Sequence, residues 1–122
     1  MKILIAEDNA LILKTLEICF SRSNYEIISS MDGLDAMEKV YKHKPDLIIV
    51  DIMLPYLSGL EIVNKVKKSP DAIPVVVMSA MGQQSIVAEA LRLGADEYLS
   101  KPFNINQIYG IIERLMLKKV AA

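Results

Sequence analysis

Leu47-Ile48-Ile49-Val50-Asp51 is the stretch that decides how this chain folds. Four consecutive apolar residues leave no polar position for a solvent-facing side. A strand of this kind is buried on both faces, as in a parallel sheet, and here it ends abruptly in a carboxylate. Outward along the chain, similar short runs recur at Ile3–Ala6, Glu26–Ser30, Val75–Met78 and Tyr98–Leu99. Pro45 and Pro74 stand just before two of them, where a missing N–H costs little.

Between the runs the apolar period lengthens to that of a helix. The helical stripes are Ile12, Leu16, Cys19 and Phe20; Ala36, Met37, Val40 and Tyr41; Ile62, Val63 and Val66; Ile86, Ala90 and Leu93; and Ile105, Ile108, Ile112, Leu115 and Met116. Ser58 and Asn104 are placed to cap the third and last helices, and Gly94 to stop the fourth. Five βα units in succession predict an α/β fold, a parallel sheet with helices on both faces. No linker, repeat or low-complexity stretch interrupts residues 1–122, which read as a single domain.

The composition agrees. Of 122 residues, 52% are hydrophobic and 24% charged, with a net charge of -1. That is enough apolar material for a core and too little net charge for disorder. Lys and Arg are scattered, without the basic footprint of a nucleic-acid binder. No stretch approaches the roughly 20 apolar residues that span a bilayer. Acidic residues follow Met1 too soon for a signal peptide, so a cytoplasmic location is expected. Cys19, the only cysteine, can form no internal disulfide and reads as a buried, inert thiol. His43, the only histidine, reads as a solvated loop residue.

In an open parallel sheet, ligands bind beyond the carboxyl ends of the strands. Those ends carry Glu7-Asp8, Asp51, Ser79 and Lys101-Pro102, so three carboxylates, a hydroxyl and an ammonium converge on one rim. Three carboxylates pressed together repel unless a cation joins them. Mg²⁺ suits an all-oxygen set and needs only one or two direct carboxylates. Beside such an ion and Lys101, Asp51 is ionised and can attack phosphorus, since carboxylates form acyl-phosphate intermediates. The ion and Lys101 would neutralise charge on the transferred oxygens. Each motif alone has a plainer reading as a cap or turn; their convergence makes a site.

Glu7-Asp8-Asn9, the segment Asp51-Ile52-Met53-Leu54-Pro55 with Ser58-Gly59, Met78-Ser79-Ala80, and the run from Gly94 to Phe103 together resemble the receiver domains of two-component signalling. The resemblance covers essentially the whole chain. It implies a flavodoxin-like (βα)₅ fold with strand order 2-1-3-4-5. It also implies that Asp51 accepts a phosphoryl group from a phosphohistidine on a sensor histidine kinase or histidine phosphotransfer protein. Asp8, Asp51 and the main-chain carbonyl of Met53 would bind Mg²⁺ (or Mn²⁺), with Glu7 acting mostly through water. Lys101 would pair with the phosphoryl group and the Ser79 hydroxyl would move to hydrogen-bond it. Tyr98 would then turn inward, and the Lys101–Pro102 bond would be cis.

Two positions beside the site that vary within the resembled family are apolar here, Met53 and Met81; members with polar groups at these places can help to orient a hydrolytic water. Slow dephosphorylation is the expectation. At the face formed by the fourth helix, fifth strand and fifth helix, through which many such regulators dimerise, the positions aligned with three network charges are Val87, Gln107 and Ile111. That charged network is missing. Val87 and Leu91 recur beside Tyr98, predicting either an apolar patch for an output partner or a dimer, or extra packing inside the domain.

Two other classes compete. A haloacid-dehalogenase-type phosphatase also uses an Asp nucleophile and Mg²⁺, but wants a second acid where Met53 stands and a cap domain that this length leaves no room for. A plain interaction module without phosphorylation would not need the complete set Glu7, Asp8, Asp51, Ser79 and Lys101. The expected role is a signalling switch that catalyses its own phosphoryl transfer, not an enzyme acting on free substrates. The last helix pattern runs to about Lys119 with no linker after it. A stand-alone receiver and one cut from a larger regulator both fit.

Overall fold

The computed structural model describes residues 1–80 and 82–121, and of residues 118–121 the backbone alone. Five strands, β1 (Lys2–Ala6), β2 (Glu26–Ser30), β3 (Leu47–Asp51), β4 (Val75–Ser79) and β5 (Glu97–Ser100), alternate with five helices. These are α1 (Ala10–Ser21), α2 (Gly33–His43), α3 (Gly59–Lys68), α4 (Gln84–Arg92) and α5 (Ile105–Ala121). All pairings are parallel, in the order β2-β1-β3-β4-β5.

The period of two along each strand explains why the central runs are apolar throughout. Leu4, Ala6, Ile48, Val50, Val75 and Val77 face one side, where α2, α3 and α4 press Met37, Val40, Ile62, Val63, Val66 and Ala90 against them. Ile3, Ile5, Leu47, Ile49, Val76 and Met78 face the other, against Leu13, Leu16 and Phe20 of α1 and Ile108, Ile112 and Leu115 of α5. Neither side is left to water, so neither needs polar residues. Phe20 makes edge-on ring contacts with Tyr25 and Tyr109, at 5.9 and 6.0 Å between centroids.

The punctuation acts as expected. The Ser58 hydroxyl accepts the Glu61 N–H at 3.2 Å. Asn104 and Gln107 cap reciprocally, each side chain accepting the other's N–H at 3.0 and 2.9 Å. Gly94 takes φ +112°, a conformation costly for any residue with a Cβ. The Lys101–Pro102 bond is cis.

Two helical assignments need correction, and of the two outcomes open for Val87 the structure takes packing inside the domain. Tyr41 is 67% exposed, because the buried stripe of α2 is made by Gly33, Ala36, Met37 and Val40. Cys19 is half-buried, because α1 turns Leu13, Leu16 and Phe20 inward and leaves Ile12 and Cys19 at the margin. Val87 and Ile111 are buried in the two cores. The α4 stripe therefore includes Val87 with Ala90, and the predicted apolar patch shrinks to the exposed Leu91 and Tyr98.

Candidate functional site

Strand order reverses between β1 and β3, which are neighbours although β2 comes between them in sequence. Their carboxyl ends leave a crevice there, and Glu7, Asp8 and Asp51 meet in it. One carboxylate oxygen from each lies within 4.8 Å of the others. Asp51 and Ser79 belong to the sheet proper, one residue beyond the apolar runs, because the ladder continues through Asp51↔Met78 and Ser79↔Ser100.

Burial differs sharply among the three acids. Glu7 is fully buried and Asp51 nearly so, while Asp8 is exposed. Glu7 is fixed at both ends. Its main-chain N–H donates to the Ser30 carbonyl, and its Oε1 accepts the Asn9 N–H, both at 3.0 Å. Asn9 in turn caps α1 through the N–H groups of Leu11 and Ile12. Asp51 Oδ1 accepts the Met53 N–H at 2.7 Å, which holds the backbone that follows β3 close to the carboxylate.

Lys101 spans the two buried acids. Its Nζ donates to Glu7 Oε2 at 2.7 Å and forms a second ion pair with Asp51 Oδ2. Burial pushes the Glu7 carboxyl up to about 7, against the opposing pull of Lys101 and the Asn9 N–H. For Lys101 burial acts downward, but Asp51 and Glu7 outweigh it and hold the ammonium above its usual range. One ammonium thus faces three carboxylates. The carboxylates outnumber the ammonium and offer only oxygen ligands, which fits a hard divalent cation such as Mg²⁺. Exposed Asp8 leaves the open side that an ion retaining several waters requires.

The loop after β3 is anchored to the strand. Ile52 N–H donates to the Met78 carbonyl at 3.0 Å and Gly59 N–H to the Ile52 carbonyl at 2.8 Å. A Cβ on Gly59 would lie 2.4 Å from the Asp51 carbonyl oxygen, so only glycine lets α3 begin against the strand that carries the acid. Met53 projects outward, 57% exposed.

Ser79 is buried, and Tyr98 is 49% exposed. Together with Val87 and Leu91 they line one open cleft of about 440 Å³ between α4 and β5. Of the residues expected from sequence, then, Glu7, Asp8, Asp51 and Lys101 meet directly, Met53 adjoins Asp51 through its backbone, and Ser79 and Tyr98 share the neighbouring cleft.

Sequence reasoning passed over the end of β2. Ser30 is buried, and its hydroxyl donates to Asp35 Oδ2 at 2.7 Å while its carbonyl receives the Glu7 N–H. Lys39 closes this support, pairing with Asp35 at 2.9 Å and donating to the Ser29 carbonyl at 2.6 Å. The available signal was Asp32, which caps α2 through the Asp35 N–H and so fixes where Asp35 points.

The family model of the response regulator receiver domain matches residues 3–113. The chain is 31% identical over 121 residues to the alkaline phosphatase synthesis transcriptional regulatory protein PhoP of Bacillus subtilis, covering 99% of this chain and 50% of that protein. It is 33% identical over 118 residues to response regulator ArlR of Staphylococcus aureus, covering 97% and 53%. It therefore spans about half the length of these relatives. Among solved structures, the receiver domain of Francisella response regulator 1452 superimposes with a TM-score of 0.85 at 30% identity, covering 99% of this chain and 98% of that one. With the fold, the strand-end acids and these likenesses in agreement, the chain belongs to the response-regulator receiver domain family.

Proposed function

We propose that Asp51 is the phosphoacceptor of a signalling switch, charged by a phosphohistidine on a sensor histidine kinase or a histidine phosphotransfer protein. The observation that carries this reading is the Lys101 ammonium bridging Glu7 and Asp51 in a crevice that also holds Asp8. An Asp51 carboxylate oxygen attacks phosphorus. The O–P bond of an acyl phosphate forms, the P–N bond breaks, and its electron pair returns to the imidazole. Lys101 stands where it can meet charge on the transferred oxygens. Asp8, Asp51 and the Met53 main-chain carbonyl would hold Mg²⁺, with Glu7 acting through water. Bound there, the ion supplies charge neutralisation for phosphoryl transfer.

The phosphoryl group adds about -1.5 to -2 charges and three acceptor oxygens. Lys101 and the Ser79 hydroxyl give those oxygens contacts that favour one loop arrangement over another, which is what a population shift requires. Tyr98 then turns into the cleft it shares with Ser79. The output surface is the α4–β5–α5 face, presenting Leu91 and Tyr98 to a protein partner or a second copy, with no direct role for nucleic acid or membrane. Among the described residues no helix is long and apolar enough to cross a membrane. Residues 1–122 act as one receiver domain in the cytoplasm and turn over no free substrate.

Met53 brings no polar group to orient water at its place beside Asp51, so dephosphorylation should be slow, and a phosphorylated-state half-life of seconds would count against this. Met81, the other residue of that expectation, lies outside the described residues. Incubation with acetyl phosphate and Mg²⁺ followed by intact-mass measurement tests the proposal. One added phosphoryl group, absent in Asp51→Ala, is expected. An unchanged mass, or multiple turnover of small phosphate esters, would overturn it.

A further inference from the structure

Four of the five helices are capped by side chains that reach forward into their own first turn: Asn9, Asp32, Ser58 and Asn104. Gln83, at the same place before α4, makes no such bond. Its Oε1 instead reaches backward and accepts the Ala80 N–H at 2.7 Å. Its main-chain carbonyl accepts the Val87 N–H at 2.9 Å, so Gln83 joins the start of α4 to the residue directly after Ser79.

The backbone on the other side of this bond is fixed. The Ser79 carbonyl accepts the Lys101 N–H at 2.7 Å, tying the end of β4 to the residue that pairs with Asp51. With the Ser79 main chain tied in this way, any backbone movement beyond it begins at Ala80, where the Gln83 side chain is the next restraint. Gln83 also lines the cleft shared by Ser79, Val87, Leu91 and Tyr98. Releasing the side chain unlinks Ala80 from the first turn of α4.

We infer that Gln83 is a positioning residue that latches the loop after Ser79 in the unphosphorylated arrangement and so sets how readily the switch is thrown. The inference rests on the reading of Asp51 and Ser79 given above. A phosphoryl group that binds the released arrangement better must first displace the latch, which lowers apparent affinity by the fraction of molecules already released. One such hydrogen bond corresponds to roughly a two- to tenfold effect.

The test is a beryllofluoride titration at saturating Mg²⁺ on wild type, Gln83→Ala, Gln83→Glu and Asp51→Ala, with urea unfolding and Ala80 amide exchange measured alongside. Gln83→Ala should bind roughly two- to tenfold more tightly, unfold at the same or lower urea concentration, and exchange the Ala80 amide faster. Gln83→Glu, which keeps an acceptor, should return amide exchange toward wild type. Tighter binding from a fold that is no more stable is the signature, because a merely structural role would weaken both. Equal or weaker binding by Gln83→Ala, or an unchanged Ala80 amide, overturns the latch while leaving the Asp51 reading standing. If wild type binds no better than Asp51→Ala, both readings fall.

Discussion

Two lysine–aspartate pairs sit at opposite ends of this sheet, and they are built differently. At the amino end, Lys67 pairs with Asp96 at 2.6 Å, and the same Asp96 oxygen accepts the Val75 N–H at 2.8 Å. One cation meets one anion, and the carboxylate also ties the start of β4 to the turn before β5. At the carboxyl end, Lys101 meets Glu7 and Asp51 with Asp8 beside them, so negative charge is in excess and part of it is buried. The first pair is balanced and acts as a staple. The second is short of positive charge, which is the imbalance that the proposed cation and phosphoryl group would exploit. An ion pair marks a functional site when its charges fail to cancel and the carboxyl ends of a parallel sheet surround it.

The sharpest way to break this contrast is to remove each lysine. Without divalent metal, Lys101→Ala should lose about 3 kcal/mol of stability by urea unfolding, because it leaves two buried carboxylates unpaired. Added Mg²⁺ should recover part of that loss. Lys67→Ala should lose about 1 kcal/mol or less, with no recovery by Mg²⁺, since its partner is more exposed and keeps a backbone N–H.

Metal itself should distinguish the two ends next. Mg²⁺ at 100 times its Kd should raise wild-type stability by about 2.7 kcal/mol. Asp8→Asn should abolish most of that increment, while Asp96→Asn should retain it. A third measurement separates fold from chemistry. Asp96→Ala should lose about 1–2 kcal/mol of stability yet take up a phosphoryl group from acetyl phosphate as wild type does.

The smallest effect concerns the half-exposed pair of Asp35 and Lys39, which belongs to neither end. Hydrogen bonds from Lys39 and then Ser30 hold the Asp35 carboxyl below its ordinary 3.8. Its ionised form therefore adds stability above the unfolded value, and that contribution is lost as pH falls through the lower folded value. Asp35→Asn should be slightly less stable than wild type at pH 7, and the gap should close in acid below pH 3.8. A gap that widened in acid would contradict the arrangement around Ser30.

The legible part of this protein lay in its strands. Leu47–Val50 and Val75–Met78 suit a strand covered on both sides, a reading selected by their shortness and their alternation with helical stripes, and each is followed at once by a residue of the proposed site. The apolar period therefore located Asp51 and Ser79 as well as the core. The helices were harder to read where apolar residues fall on more than one face. Val87 and Leu91 look equivalent in sequence, yet α4 buries the first beside Ala90 and exposes the second. Tyr41 misled for a related reason, since an aromatic ring on a stripe's edge can lie out over solvent without penalty.

Sequence by itself determined the alternation of elements, the parallel sheet and the set of strand-end residues, because burial on two faces and the capping of helix ends are local constraints on residue type. Tertiary structure alone decided that one ammonium bridges Glu7 and Asp51 across 94 and 50 residues of chain. It also decided that Ser30 supports Glu7 from a neighbouring strand and that Gln83 turns back to hold Ala80. These depend on strand order and on the choice a side chain makes among several partners within reach. No period or spacing along the chain records that choice.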